Sequence, residues 1–299
     1  MTPKTNTKAP LGANLIVISS FFYASYGIWT VLMGDFFDGF TASALRGILV
    51  LVMLIPIAIV LRKLEPLRLR KNWPYILGMF ISSLFIWGPL YYAILGSGVG
   101  ISLAINYASI VIGMFFFGWL FGREKLTKVK IISAALGIAG IGLIFIPSIS
   151  GFGWLALGAA FVSGVFSAAN TVLAKKVRYS SAQSTIVMWA VGIVANLIMA
   201  LIFSKSFPSI GLHIEWLYLI LFALASLIAS WSFIRGLKLI DAGTAGILGL
   251  LEIVFGVLFG VILFYERPTL ITIMGMVVII FAAALPYIPR ASQKLLAAK

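Results

Sequence analysis

The amino-acid sequence contains ten long apolar runs separated by short polar segments. A helix needs about 20 mostly apolar residues to cross the hydrocarbon core of a bilayer. The runs cover residues 13–33, 41–61, 73–95, 100–121, 129–146, 154–174, 182–203, 216–236, 242–264 and 269–288. With 62% hydrophobic and only 10% charged residues, and a mean hydropathy of +1.13, the chain has too little polar surface for a water-soluble fold. We therefore predict an all-α polytopic membrane protein with ten transmembrane helices, called spans 1–10.

The basic residues fall almost entirely on one side of the predicted membrane. That side holds both tails and the loops between spans 2–3, 4–5, 6–7 and 8–9. Of the 22 Lys and Arg residues, the other side has Lys205 and Arg267, and Arg46 lies within span 2. Cytoplasmic loops carry the excess of Lys and Arg. We therefore expect a multi-pass protein of the inner or plasma membrane with both termini cytoplasmic, and we interpret the net charge of +14 as an orientation signal rather than a nucleic-acid site.

The sequence lacks the residues that several kinds of chemistry require. The chain has no cysteine and one histidine, His213, which argues against disulfides, thiolate chemistry and a His-based metal site. The sequence contains no Walker A motif, no HExxH motif and no nucleophile elbow. We expect no cofactor, no metal and no enzymatic activity. The expected partners are a small-molecule substrate and the lipid bilayer, for a monomer or a homodimer.

Two pairs of segments indicate an internal repeat. GREKLT at 122–127, after span 4, resembles YERPT at 265–269, after span 9, and places Glu124 and Glu266 142 residues apart. TVL at 30–32 recurs at 171–173, 141 residues apart. Because each half has five spans, the second half must enter the membrane the opposite way up. We predict two inverted repeats, 13–148 and 149–289, between tails 1–12 and 290–299; such repeats are typical of secondary transporters with a midplane site.

Glu252 is the acidic residue that lies near the centre of a span, whereas the others lie in loops or at span ends. A carboxylate at that depth costs about 2.5–3.5 kcal/mol on insertion scales. One interpretation is a group that binds a substrate cation or carries a coupling proton. The other is a protonated structural acid hydrogen-bonded to a neighbouring helix.

Arg46 is the basic residue within a span, about five residues from the outer end of span 2. Its long side chain could reach the interface. The alternative is a charge in a cavity that binds a substrate carboxylate or pairs with Glu252.

Intramembrane amides and aromatic rings form a further candidate set. Asn106 and Asn170 could line a cavity, but hydrogen bonds between helices would also explain them. Rings within the spans could form the walls of a site for an apolar solute or a cation, or pack against lipid and neighbouring helices.

Together these residues resemble the drug/metabolite transporter superfamily, in its EamA-like branch, over nearly the whole chain. The glutamate segments after spans 4 and 9 match a repeated family pattern, and Arg46 matches an arginine common in span 2. Leu250-Leu251-Glu252 matches the Leu-Leu-Glu of a family motif whose proline is replaced here by Ile253. The resemblance implies a central cavity between spans 1, 3, 4, 6, 8 and 9, with spans 5 and 10 in support. Carried over to this sequence, it implies substrate-binding residues Tyr26, Trp87, Tyr91, Asn106, Tyr107, Asn170, Trp231 and Glu252.

The function expected on this basis is secondary active transport by alternating access. The solute would be a small organic metabolite, an amino acid or related amphiphile, moved outward, with Glu252 as the candidate proton-coupling group and Arg46 as its possible charge partner. One alternative is a passive facilitator or uniporter. The other is a membrane enzyme for a lipid-linked substrate, which would need a cluster of nucleophile, acid or metal ligands at one interface.

Overall fold

The computed structural model describes residues 8–66, 68–145, 153–203 and 211–288, and these residues form helices without any strand. The helices are α1 (Ala9–Ala24), α2 (Tyr26–Met33), α3 (Gly39–Val60), α4 (Leu69–Leu84), α5 (Trp87–Ser97), α6 (Val99–Gly122), α7 (Lys128–Phe145), α8 (Trp154–Lys176), α9 (Ser181–Phe203), α10 (Ile214–Leu237), α11 (Ala242–Gly249), α12 (Leu251–Phe264) and α13 (Leu270–Ala284), followed by a 3₁₀ turn, Leu285–Tyr287.

Ten of the described segments are long and apolar enough to cross a membrane, which confirms the predicted all-α fold with ten spans. Spans 1, 3 and 9 each consist of two helices, α1–α2, α4–α5 and α11–α12. The predicted boundary at 148/149, most of the tail 1–12 and the tail 290–299 lie outside the described residues. The division into two domains therefore stays a prediction.

The break in span 3 follows from a proline. Pro89 has no N–H, and its ring would collide with the carbonyl of Phe85 in a regular helix. Helix α4 accordingly ends at Leu84 and α5 begins at Trp87. In span 1 the helix is interrupted at Ser25, whose hydroxyl donates to the Phe22 carbonyl at 2.6 Å.

Span 9 is broken without a proline. The Leu250 amide donates to the Ile247 carbonyl at 3.1 Å, and the Ile253 amide donates to the Leu250 carbonyl at 3.0 Å. Bonds to the third residue back are those of a 3₁₀ turn, which tightens the helix locally. The break therefore occurs in span 9 although Ile253 replaces the proline of the family motif.

The largest contacts between spans are preserved when each span is exchanged with the one five places away. Under that exchange the contact between spans 1 and 8 corresponds to that between spans 6 and 3. The contact between spans 4 and 6 corresponds to that between spans 9 and 1, and the contact between spans 2 and 8 to that between spans 7 and 3. All six pairs of spans are in contact. Pairs 2·7, 4·9 and 5·10 map onto themselves and are also in contact. This pairing is consistent with two structural repeats, whereas their inversion stays a prediction.

The repeated glutamate segment has one local geometry in both halves. Arg123 and Tyr265 adopt left-handed conformations, with φ of 50° and 57°. The amides of Glu124 and Glu266 then donate to the carbonyl six residues earlier, at 3.2 and 3.1 Å, a common helix ending. In both halves the threonine three residues after the glutamate accepts a hydrogen bond from an amide of the next helix.

The loops 2–3, 4–5, 6–7 and 8–9 lie together at one end of the bundle, which we call the basic end. Gly12, near the start of span 1, packs against Gly236 and Ile240 there. Among the described residues, the basic side chains lie at this end, apart from Arg46 within span 2 and Arg267 at the opposite end. The basic residues that the sequence predicts on one side of the membrane therefore lie at one end of the folded bundle.

Candidate functional site

Glu252 lies directly after the break in span 9, in the first turn of α12. The Tyr107 hydroxyl of span 4 donates to Glu252 Oε1 at 2.9 Å, and both side chains are half-buried. Spans 4 and 9 hold equivalent positions in the two halves. The carboxylate therefore lies where the halves meet, and Tyr107 fixes its position.

Arg46 lies in a cage of aromatic rings contributed by three spans. Its guanidinium carbon is 4.3 Å from the ring centre of Phe222, 4.8 Å from that of Tyr26 and 5.5 Å from that of Trp189. The residue is 5% exposed. Within the part of the chain that the structure describes, no ion pair joins Arg46 to Glu252 or to another acid.

Two tyrosines of span 1 lie on either side of the break at Ser25, next to Arg46. The rings of Tyr23 and Tyr26 are 5.2 Å apart, and the Tyr26 ring centre lies 4.8 Å from the guanidinium carbon of Arg46. Span 1 thus presents aromatic surface beside the buried positive group.

The structure places both candidate asparagines in hydrogen bonds between helices. Asn106 Nδ2 donates to Ser163 Oγ at 2.9 Å, and the Ser163 hydroxyl donates to the Ile86 carbonyl at the break of span 3, at 2.7 Å. Asn170 Nδ2 donates to Ser83 Oγ at 2.8 Å. These bonds join span 6 to spans 3 and 4, so in this conformation both amides hold helices together.

The remaining candidate rings lie apart from the two charges. Trp87 and Tyr91 on span 3 are 39% and 60% exposed. Trp231 is half-buried and packs against the cluster of Val50 and Leu54 from span 2. Of the residues predicted from the sequence, the structure groups Tyr26 with Arg46, and Tyr107 with Glu252.

The site includes three rings that were absent from the predicted set, Tyr23, Trp189 and Phe222. Tyr23 could have been found, because residues three apart on a helix share a face and Tyr26 was already a candidate. Trp189 and Phe222 reach Arg46 only through the packing of spans 7 and 8 against span 2, for which the sequence offers no local signal.

At the basic end, Glu124 is the centre of a tight cluster. Lys175 Nζ lies 2.7 Å from Glu124 Oε1 and also donates to the Ile240 carbonyl at 2.7 Å. Glu124 Oε2 accepts the amide of Ala242 at 2.7 Å, at the start of span 9, where the helix dipole favours a carboxylate. We call Glu124, Lys175, Ile240 and Ala242 the Glu124 cluster. It joins loop 4–5 to the ends of spans 6, 8 and 9.

Two further lysines form contacts that strengthen this end. Lys238 donates to the Tyr179 carbonyl and to Ser184 Oγ, both at 2.6 Å. Lys130 lies 3.0 Å from Asp241, which caps span 9. Burial alone would raise the pKa of the Asp241 carboxyl, but Lys130 and hydrogen bonds from Thr244 outweigh it and lower that pKa. The loops of the basic end are therefore held to one another.

The equivalent glutamate at the opposite end has no such partners. Glu266 is exposed and its side chain lies back against Gly260. Its carboxylate forms no hydrogen bond or ion pair with any other residue in the described ranges. Two residues at matching positions in the repeat are thus in different states in one structure.

The arrangement as a whole suits binding of a small amphiphile. A carboxylate can accept an ammonium or a proton, aromatic rings can cover apolar atoms, and a guanidinium can hold an anionic group. None of these groups is a nucleophile paired with a base. The geometry therefore favours recognition over covalent chemistry.

Comparison with known proteins gives the same family as the resemblance found in the sequence. The EamA-like transporter family matches residues 10–146 and, a second time, residues 154–288. Two uncharacterized transporters from two strains of Helicobacter pylori are each 25% identical over 178 residues, which is 58% of this chain and 60% of their own length. A protein of solved crystal structure superposes with a TM-score of 0.80 over 93% of this chain and 98% of its own, at 17% identity, which supports the fold alone.

The matches to the family cover both five-span segments and nearly the whole chain. They agree with the ten spans and with the resemblance found in the glutamate segments. The chain belongs to the EamA-like transporter family and is a multi-pass membrane protein.

Proposed function

We propose that this protein is a secondary active transporter of a small organic metabolite, an amino acid or a related amphiphile, working by alternating access. The observation that carries the proposal is the bond between Tyr107 and Glu252, which places a carboxylate between equivalent spans of the two halves. A movement of one half against the other changes the surroundings of that carboxylate. Glu252 binds the ammonium of the solute or carries the coupling proton.

The contrast between Glu124 and Glu266 supports alternating access. The Glu124 cluster holds the basic end together, whereas Glu266 at the opposite end is exposed. In the repeat, the position equivalent to Ala242 is Gly100, at the start of span 4. In the opposite state, we propose, the Glu124 cluster opens and Glu266 accepts an amide at the start of span 4.

We propose that the basic end faces the cytoplasm of a cell bounded by this inner or plasma membrane, with both termini on that side. The concentration of Lys and Arg at that end supports the orientation. With the basic end held by the Glu124 cluster, the described conformation corresponds to an outward-facing state. A carrier that releases solute from this state performs export.

The test is counterflow in proteoliposomes. Purified protein is first screened for thermal stabilisation by a panel of amino acids, amines and organic acids, and stabilising compounds are tested as radiolabelled solutes. A carrier loaded inside with unlabelled solute transiently accumulates the label, whereas a facilitator with high, non-saturating flux does not. Transient accumulation supports a carrier with alternating access, and non-saturating flux without accumulation overturns it; coupling to a gradient is tested separately at Glu252.

The role of Glu252 is tested by Glu252→Gln, which keeps the size of the side chain and removes its charge. We expect loss of gradient-driven transport with retention of the fold. Glu215→Gln, the same change at the start of span 8, is the matched control. Gradient-driven uptake that survives Glu252→Gln unchanged would show that Glu252 neither couples protons nor binds the solute.

A further inference from the structure

Among the residues that the structure describes, Arg46 has no polar partner although it is buried. Arg46 is 5% exposed, and no described residue forms a hydrogen bond with its Nε. Within the described ranges its remaining nitrogens form no hydrogen bond or ion pair either. Its contacts are with the rings of Tyr26, Trp189 and Phe222.

A buried charge in a protein is normally paired and hydrogen-bonded, because removing it from water is costly. In a bilayer, water offers even less compensation. Aromatic faces attract the cation but offer it no lone pair. The hydrogen-bonding capacity of the N–H groups, which form a planar fork matched to a planar anion, is therefore unused.

Neither Glu252 nor Asp38 supplies that anion. Glu252 bonds to Tyr107 and is not paired with Arg46. Asp38, the acid at the start of span 2, accepts the amides of Phe40 and Thr41 as the helix cap. No carboxylate in the part of the chain that the structure describes is in ion-pair contact with Arg46.

We propose that Arg46 and its aromatic cage form an anion subsite that takes the carboxylate of an organic solute. The inference rests on the proposed function, in which Glu252 binds the ammonium of the same solute. Tyr26 lies 4.8 Å from the guanidinium carbon and Tyr23 packs against Tyr26, and these rings cover the apolar part of the solute. The subsite makes the transporter selective for solutes that bear a carboxylate.

The first experiment needs no ligand. Arg46→Met keeps an unbranched side chain of similar reach and removes the charge, so we expect a melting temperature in detergent equal to or above that of the wild type. Arg267→Met, at an exposed loop arginine, is the control. A clear loss of ligand-free stability specific to Arg46→Met would show that the cation–π contacts are structural and would overturn the proposal.

The second experiment compares four probes at matched ionic strength: L-leucine with both charges, L-leucinamide with the ammonium alone, 4-methylpentanoate with the carboxylate alone, and chloride. We expect L-leucine and 4-methylpentanoate to stabilise the wild type, and Arg46→Met to weaken their apparent binding by about tenfold or more, as expected for loss of a charge-assisted bidentate contact. Arg46→Lys, which keeps charge but lacks the fork, should give an intermediate result.

Equal carboxylate binding by the wild type and Arg46→Met would overturn the subsite, as would a wild type that neither carboxylate stabilises more than chloride does. The results for the subsite are distinguishable from those for the proposed function. If L-leucinamide shows counterflow that requires Glu252 but no carboxylate binding requires Arg46, the carrier is supported and the subsite is overturned. If carboxylate binding requires Arg46 but no solute shows counterflow, the subsite is supported and the carrier is overturned.

Discussion

Lys175 Nζ lies 2.7 Å from Glu124 Oε1, and this ion pair joins the end of span 6 to the loop after span 4. Both side chains are 17% exposed, so water screens the pair only in part. The amide of Ala242 completes the arrangement from span 9. One carboxylate thereby connects segments from both halves of the chain.

Glu124→Gln should shift the protein toward the state open at the basic end. The change removes the charge that holds Lys175, and a charge-assisted contact of this kind changes an equilibrium by about tenfold or more. Because the chain has no cysteine, Ser226→Cys, at a buried serine of span 8, provides a single reporter. Labelling by a membrane-impermeant maleimide from the basic end should increase; Glu215→Gln on the same background is the control, and equal labelling of both would contradict the prediction.

Gly164→Ala should separate spans 4 and 6. A Cβ atom at Gly164 would lie 2.6 Å from Ser109 Cβ and also against the Asn106 carbonyl. Overpacking of this kind costs about 1–3 kcal/mol of unfolding free energy. Gly158, on the same helix, has nothing within 4 Å of such an atom, so Gly158→Ala is the matched control. Melting temperatures in detergent should differ between the two variants, and identical values would show that the helices adjust freely.

Tyr107→Phe should impair transport while leaving the fold intact. The change removes the hydroxyl that donates to Glu252 Oε1 at 2.9 Å and little else. Since a hydrogen bond to a charged group contributes about 1.5–3 kcal/mol, we expect a fall in transport rate of about tenfold or more. Tyr92→Phe, at a tyrosine that is 49% exposed, serves as the control. Equal rates in the two variants would mean that Tyr107 does not position the carboxylate.

Lys238 should make stability depend on pH in the alkaline range. Burial lowers the pKa of its amine from 10.5 to about 8, partly opposed by Glu65. The folded protein then binds fewer protons than the unfolded chain, so the free energy of unfolding rises as the pH increases from about 8 toward 10.5. Lys238→Gln should lose that contribution, whereas Lys63→Gln, at an exposed lysine, should keep it. Melting curves measured from pH 8 to 10.5 test this prediction. Parallel pH profiles for the wild type and Lys238→Gln would contradict the role of Lys238.

The spans and the position of Glu252 within a span could be predicted because each depends on one local property. Apolar length gives the spans, and a lone acid within such a run signals a special environment. The partners of Glu252 and Arg46 could not be predicted, because Tyr107, Trp189 and Phe222 reach them through helices distant in the chain.

The asparagines show a different limit. A polar side chain within a span indicates only that it must find a partner. For Asn106 and Asn170 the partners are Ser163 and Ser83 on neighbouring helices, and the identity of those partners depends on how the spans pack. Composition alone does not distinguish a cavity-lining amide from one that joins two helices.

The breaks in spans 1, 3 and 9 have a thermodynamic consequence. Their counterparts five places away, spans 6, 8 and 4, are unbroken helices in this structure. If the halves exchange conformations during a transport cycle, straightening one member of each pair accompanies bending of its counterpart. The bending energy is then redistributed within the molecule rather than gained or lost. The two end states would lie close in free energy, so that a modest solute or ion gradient is enough to determine the direction of net flow.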